Sequence, residues 1–300
     1  MGARMSIRIA HVTDIHWQTR PALVDMGLKR ALGSANLYLM GRRHHFTAAV
    51  QSALVEHIVG LEPDAVVVSG DLTAQALRSE FDLARAGLQP VLDRFPTLVI
   101  PGNHDAYTHD AVREGRFEQA FGPWMHKAGA IARLDVGPVT VLGLDPNAPR
   151  WVNAHGVVPQ AQLDGLAAAL AEPQLADRVV VLTLHYPVVD RHGAIYDGKR
   201  HGLLNARALL AVLSAAPVRP VMVLHGHIHH GYRSVLPLRG AEVATFDPGS
   251  SGYAYLPAIR RAAGMNLYAV LPDGSFTVQR YLYDGRLFSP EPGGPYATGR

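Results

Sequence analysis

The sequence predicts an α/β fold of stacked layers, and three observations point to it. Strand-like and helix-like segments alternate through most of the 300 residues, the pattern of a chain that covers its sheets with helices. Five of the apolar strand-like runs each end in a cluster of metal-type residues, Asp, Asn or His. No repeat, low-complexity tract or linker interrupts the chain, so a single domain is expected over 1–288, followed by a Pro- and Gly-rich tail over 289–300 expected to be flexible.

The elements follow in order. Ser6–Val12 alternates and then runs apolar into Thr13-Asp14, which reads as a strand ending in a loop. Residues 21–46 have helical spacing, with Val24, Leu28, Ala31, Ala35 and Leu39 on one face. Thr47–Val59 predicts a helix with Thr47 placed to cap it. Ala65–Ser69 is a short β-branched run, hence a buried strand. A helix over Leu77–Leu92 precedes an expected strand, Thr97–Ile100. A weaker helical stretch is expected at Arg113–Phe121, a strand at Val139–Leu144, and a helix at Pro159–Ala171 with Pro159 suited to its first turn. Strand Arg178–Leu184, helix Leu204–Ala215 and strand Val221–Leu224 follow. From Tyr232 the pattern turns β-rich, with strands expected at Tyr232–Leu236, Glu242–Phe246, Asn266–Leu271 and Phe276–Leu282.

Composition narrows the chemistry. There is no cysteine, so disulfides, zinc–thiolate sites and thiol nucleophiles are excluded, and imidazole and carboxylate remain as metal ligands. Sixteen histidines are the one unusual figure. A net charge of +3, with no basic stripe interleaved with aromatics, argues against specific nucleic-acid binding. No apolar run approaches a membrane span and the N-terminus has no apolar leader core, so a cytoplasmic protein is expected.

The five strand ends carry the signal. Ser6–Val12 leads to Asp14-Ile15-His16, Ala65–Ser69 to Gly70-Asp71, and Thr97–Ile100 to Gly102-Asn103-His104-Asp105. Arg178–Leu184 leads to His185, and Val221–Leu224 to Gly226-His227-Ile228-His229. In open α/β sheets, sites form outside the carboxyl ends of the strands, so these loops are expected to converge. Asp, His and an Asn carbonyl make a mixed N/O donor set suited to Mn, Fe or Zn rather than Ca. A carboxylate such as Asp71 can bridge two ions about 3.5–4 Å apart. Each motif alone is weak; the ordered set of five is specific.

That set resembles the calcineurin-like metallophosphoesterases, whose pattern of DxH, GD, GNH[D/E], a strand-end His and GHxH spans Asp14 to His229. The resemblance implies a four-layer α/β/β/α sandwich of two mixed sheets with a dinuclear metal site at its edge. It places Asp14, His16, Asp71 and His229 on one divalent ion and Asp71, Asn103, His185 and His227 on the other. It makes His104 the residue that faces the substrate phosphate, as general acid or stabiliser of transition-state charge, while a metal-bridging hydroxide attacks phosphorus in line. His225 and His230, flanking the last motif, are expected in supporting or surface roles. His11 is expected to be packed, and Asp105 to orient its loop.

Within the family the layout is similar to the bacterial cyclic-nucleotide phosphodiesterase-like branch, through Gly70-Asp71-Leu72-Thr73, the segment Val157–Leu170 and the stretch His201–Leu210. A phosphodiester substrate is therefore expected, with Asn103, His104, Tyr186 and His201 as candidate contacts. Two departures bear on specificity. Leu184-His185-Tyr186-Pro187 has one histidine before the proline where that branch often has two. Residues 21–46 form an insertion carrying Lys29, Arg30, Arg42 and Arg43. Two readings of it are open: a helix packed on the sandwich or forming a dimer contact, and a basic amphipathic cap or membrane-surface helix. The second would make the substrate lipid-linked, as for the UDP-diacylglucosamine pyrophosphohydrolases of the family. A non-catalytic scaffold, as in the retromer subunit with this fold, is disfavoured because every ligand position is filled.

Overall fold

The structure, a computed structural model, describes residues 6–21, 30, 45–149, 154–196, 201–238 and 240–297. Its first sheet starts from β1 (Ile7–Val12), parallel to β2 (Ala65–Val68), which is parallel to β3 (Thr97–Val99). The second begins with the antiparallel pair β4 (Lys127–Ala128) and β5 (Ile131–Val136), followed by β6 (Val139–Gly143). Strand β6 is parallel to β7 (Val179–Thr183), and β7 to β8 (Met222–Leu224). A hairpin of β9 (Tyr232–Leu238) and β10 (Ala241–Asp247) closes that sheet, with β10 parallel to β8. The chain then returns to the first sheet through β11 (Gly264–Val270), antiparallel to β1, then β12 (Phe276–Tyr283) and β13 (Phe288–Pro290). The orders are β13-β12-β11-β1-β2-β3 and β4-β5-β6-β7-β8-β10-β9.

The period-2 geometry of these strands builds four layers. Ile9 of β1 and Ala65 and Val67 of β2 pack between the sheets, against Val141, Val181, Leu224 and Phe246 of the second sheet. Ala10, Val12, Val66 and Val68, on the other face, meet Val50, Leu54 and Ile58 of α1 (Ala48–Leu61) and Phe81, Ala84 and Leu88 of α2 (Arg78–Leu92). Outside the second sheet, Leu142, Val180, Leu182 and Val223 meet the apolar faces of two further helices, Gln160–Leu170 and Ala206–Ala215. Both faces of the parallel strands are covered, which is why those strands read as unbroken apolar runs. The result is the expected α/β/β/α sandwich of two mixed sheets.

Several local expectations are corrected. Thr47 stands at the N-cap of α1, but its hydroxyl makes no cap hydrogen bond. The weak helix expected at Arg113–Phe121 is two short ones, α3 (His109–Arg113) and α4 (Arg116–Phe121), divided where Gly115 takes a left-handed φ of 62°. With these placed, the two helices over the second sheet are α5 (Gln160–Leu170) and α6 (Ala206–Ala215). In the insertion 21–46, Arg30 is 4% exposed. It donates to Asp110 Oδ2 at 2.9 Å and Thr108 Oγ1 at 2.8 Å, so it is not part of an exposed basic face. The expected helix there, with Lys29, Arg42 and Arg43, lies outside the described residues. No helix among the described residues is long and apolar enough to cross a membrane.

The tail expected to be flexible is tied down as far as residue 297. Strand β13 extends the first sheet, and Arg280 Nη1 bonds Glu291 at 3.1 Å, both side chains being buried. Glu291 also accepts from the Tyr296 N–H at 2.7 Å, and the Tyr296 hydroxyl donates to Asp247 O at 3.2 Å. Glu291→Ala, which strands Arg280 in the interior, should lower the free energy of unfolding in urea by about 3 kcal/mol. Truncation after residue 288 should cost at least as much, because it removes Glu291 together with most of β13 and Tyr296 with its bond to Asp247 O.

Candidate metal centre

The carboxyl ends of β1, β2, β3, β7 and β8 meet at one edge of the sandwich, and backbone bonds between their loops hold them there. The Asp14 N–H donates to Gly70 O at 2.9 Å and the His16 N–H to Asp71 O at 3.1 Å. The Gly226 N–H donates to His185 O at 3.0 Å, and the His227 N–H crosses between sheets to Asp14 Oδ2 at 2.9 Å. Asp105 does orient its loop: it accepts from the N–H groups of Leu72, Thr73 and Gly102 and from the Thr73 hydroxyl, at 2.9–3.2 Å. Burial, followed by the neighbouring Asp71, pushes the Asp105 carboxyl up to about 7.

These turns are strained. Asp14, His16, Asp71, His227 and His229 all have left-handed φ, between 52° and 79°. They are half of the ten described non-glycine residues in that region, so unfavourable backbone is concentrated here. Such conformations cost on the order of 1–3 kcal/mol each and persist where the surroundings over-determine them.

Two groups of donor atoms result: Asp14, His16, Asp71 and His229, then Asp71, His185 and His227, with ligand atoms within 4.8 Å of one another in each. In the first, His16 Nε2 lies 3.1 Å from His229 Nε2, 3.8 Å from Asp71 Oδ2 and 3.9 Å from Asp14 Oδ1. Asp14 Oδ1 is 3.0 Å from His229 Nε2. In the second, His185 Nε2 lies 3.3 Å from Asp71 Oδ2 and from His227 Nδ1, and 3.2 Å from Asn103 Oδ1. All seven side chains expected to ligate are therefore at one place, and Asp71 belongs to both groups.

The imidazole orientations bear on what these groups could hold. The Nδ1–H of His16 donates to Thr73 O at 3.0 Å, and that of His185 to Ser69 O at 2.8 Å. Carbonyls only accept, so Nδ1 carries the proton in both rings and Nε2 is the atom turned inward, the orientation of a metal-ligating histidine; in His16, which is neutral, that Nε2 is bare. Burial, aided by the adjacent His104, pushes His16 down to about 3; burial and then His185 hold His227 well below its usual range. For Asp14 and Asp71 burial works the other way, but the facing histidines keep both below the carboxylate norm. Burial alone would lower His185, but Asp71, Asp14 and the bond to Ser69 O together raise it to about 10, so its Nε2 proton is one that a bound cation would displace. Converging lone pairs and two buried carboxylates fit a divalent cation in each group, and the imidazole, carboxylate and amide donors suit a transition ion.

His104 stands beside the groups, its ring 4.8 Å from that of His16 and stacked on Tyr107 at 5.7 Å. Its Nδ1–H donates to Ala74 O at 2.7 Å, and its backbone N–H to Asp71 Oδ1 at 2.7 Å. His201 is exposed, its ring 5.7 Å from that of His227. Tyr186, expected to face substrate, is corrected: it is 1% exposed, its ring 4.5 Å from His227 and packed where a Gly156 side chain would be. It lies behind His227 instead of lining the open face. His11 and His225 are buried, the latter 3.6 Å from Asp247, and His230 is exposed beside Arg261. Sequence reasoning did not single out Phe46, the last residue of the 21–46 insertion, or Arg261, which border the first group, nor Tyr253, which packs on Phe46; they lie outside the five metal motifs.

Comparison with known proteins agrees with this geometry. The calcineurin-like phosphoesterase family model matches residues 7–231. A cAMP/cGMP dual specificity phosphodiesterase of Mycobacterium tuberculosis is 27% identical over 221 residues, 71% of this chain and 65% of that protein. A probable cyclic nucleotide phosphodiesterase of Rhodococcus erythropolis is 31% identical over 175 residues, 57% of this chain and 53% of that one. The alignments thus span less than two thirds of either relative. In fold, a dimetal phosphatase of Danio rerio superposes with a TM-score of 0.59 at 15% identity, covering 95% of this chain and 98% of that one.

Two motif glycines must be bare because another motif's carboxylate fills the space. A Cβ at Gly102 would overlap Asp71 Oδ1, and one at Gly226 would overlap Asp14 Oδ2 and Thr13 Oγ1. Gly226→Ala should therefore lower the metal bound at saturation, measured by elemental analysis. Gly60→Ala, in the last turn of α1 with open space around its Cβ position, should leave the metal content unchanged and add about 0.5–1 kcal/mol of stability.

Proposed function

The chain belongs to the calcineurin-like phosphoesterase family, and from that premise we propose that it hydrolyses a phosphodiester with two divalent ions, His104 giving the proton to the leaving oxygen. The enzyme is a metal-dependent phosphoesterase, and the family uses a dinuclear divalent centre. The observation that carries the finer reading is the division of the donors into two groups sharing Asp71, with a histidine of fixed tautomer beside them.

Asp14, His16, Asp71 and His229 would hold one ion and Asp71, Asn103, His185 and His227 the other; manganese, iron or zinc suits these donors. Bound there, the ions supply Lewis acidity and bring the pKa of a bound water from 15.7 toward about 7, so that no protein nucleophile is needed. A water oxygen then forms the new bond to phosphorus as the bond to the leaving oxygen breaks.

His104 supplies what that chemistry lacks. Its Nδ1–H is committed to Ala74 O, which leaves Nε2 to carry a proton to the departing alkoxide or phenoxide. Stacking on Tyr107 and the bond from its N–H to Asp71 hold the ring at the edge of the first group. Asn103 and the exposed His201 complete the side chains facing substrate. The names of the mycobacterial and rhodococcal relatives favour a diester over a monoester, and the buried Tyr186 removes one of the residues expected to read its organic part.

Asn103→Ala and His104→Ala separate the two roles. The first should lower metal occupancy. The second should keep the metal and reduce turnover of bis(p-nitrophenyl) phosphate by about 10²–10⁴-fold, the span of general acid–base catalysis. Equal metal loss in both would refute the role given to His104. A folded, metal-loaded wild type with no turnover of the diester would refute the phosphodiesterase reading.

A further inference from the structure

Two aromatic walls flank the first donor group, and the role of His104 accounts for one of them. That wall is His104 with Tyr107 behind it. The other is Phe46, whose ring lies 4.5 Å from His16, 5.9 Å from His229 and 5.5 Å from Tyr253. Phe46 is only half-buried, and its ring is in contact with the rings of two residues of the first group.

The position of Phe46 is set with care. It bridges Tyr253 in antiparallel fashion, and the Ala254 N–H donates to His45 O at 2.6 Å. Gln18 Nε2 donates to Phe46 O at 2.9 Å, and His45 Nδ1 meets the Tyr253 hydroxyl at 3.1 Å. Behind this wall Arg261 donates to His229 O at 2.8 Å, with its guanidinium 5.7 Å from the Tyr253 ring. Support of His16 does not require the Phe46 ring. His16 is already held by Thr73 through its ring and by Gln51 through its backbone carbonyl.

On the phosphodiesterase reading, which this inference presupposes, the second wall has a use. In an in-line displacement the attacking and leaving oxygens are axial, and the ester oxygen that stays on phosphorus is equatorial. With the leaving oxygen at His104, the retained group projects sideways. We propose that Phe46, backed by Tyr253, is the subsite for that retained ester group and takes a flat, apolar one. A monoester has no such group and leaves the wall unused. Aromatic pairs contribute about 0.5–1.5 kcal/mol beyond their buried area, so the subsite acts as a selectivity element of modest size.

The test holds the leaving group constant. Bis(p-nitrophenyl) phosphate and methyl p-nitrophenyl phosphate both release p-nitrophenolate, but one retains an aryl and the other a methyl group. In Phe46→Ala the ratio of kcat/KM, aryl over methyl, should fall about two- to tenfold relative to wild type, and Phe46→Tyr should restore it. Should the alanine variant fail to fold, Phe46→Leu keeps the bulk without the flat face and should also lower the ratio. Calorimetric titration with diphenylphosphinate and dimethylphosphinate, whose P–C bonds resist hydrolysis, should show the same change in binding preference. An unchanged ratio in both measurements, whatever happens to the absolute rates, overturns the subsite. Failure of the wild type to hydrolyse either ester overturns the phosphodiesterase reading instead, and the phosphinate titration still decides whether Phe46 selects the aryl group.

Discussion

Asp71 sits between two buried histidines, its Oδ2 3.8 Å from His16 Nε2 and 3.3 Å from His185 Nε2. Asp14 faces the same space from the neighbouring loop. Electron-rich atoms converge there without enough hydrogens among them, an arrangement that is costly in a buried site unless a cation balances it. Much of the nearby structure keeps the arrangement from relaxing. Each His16, His185 and His104 ring is pinned through Nδ1 to a carbonyl on or just after β2, at Thr73, Ser69 and Ala74. The carboxylate of Asp105 clips the loop of Asp71 to that of Asn103.

The sandwich makes this possible by separating the two tasks. Fully buried β-branched runs in β2 and β7 provide stability without polar groups, so the strand ends can hold left-handed backbone and buried charge. The loops from the two sheets are joined across the edge by the bond from His227 N–H to Asp14 and by the seat of His185 on Ser69. The site is thus a product of sheet-to-sheet packing: a shift of one sheet against the other would part the two groups that Asp71 connects.

What could be read in the sequence follows from this division. The layers were legible because alternation and apolar runs are local patterns, and the convergence of the seven expected ligands was legible because they follow those runs directly. Features that depend on distant pairing were not. Tyr186 looks like a site residue beside His185, yet the absence of a side chain at Gly156 lets its ring sink beneath His227. The final residues look like a loose tail because nothing near them indicates that Arg280, in the middle of β12, needs Glu291 as its partner. Strand β4 has two residues, too short for any period to show. Phe46 packs on Tyr253 yet stands more than 200 residues from both Tyr253 and Arg261 in the chain, and no motif connects them.

The central claim is that Asp71 is shared by two ions held by the side chains named above. Crystals grown with Mn(II) and measured at the manganese absorption edge address it directly. Two anomalous peaks about 3.5–4 Å apart are expected, one among Asp14, His16 and His229, the other among Asn103, His185 and His227, with the Asp71 carboxylate between them. A single peak, or two peaks of which only one touches Asp71, would contradict the account.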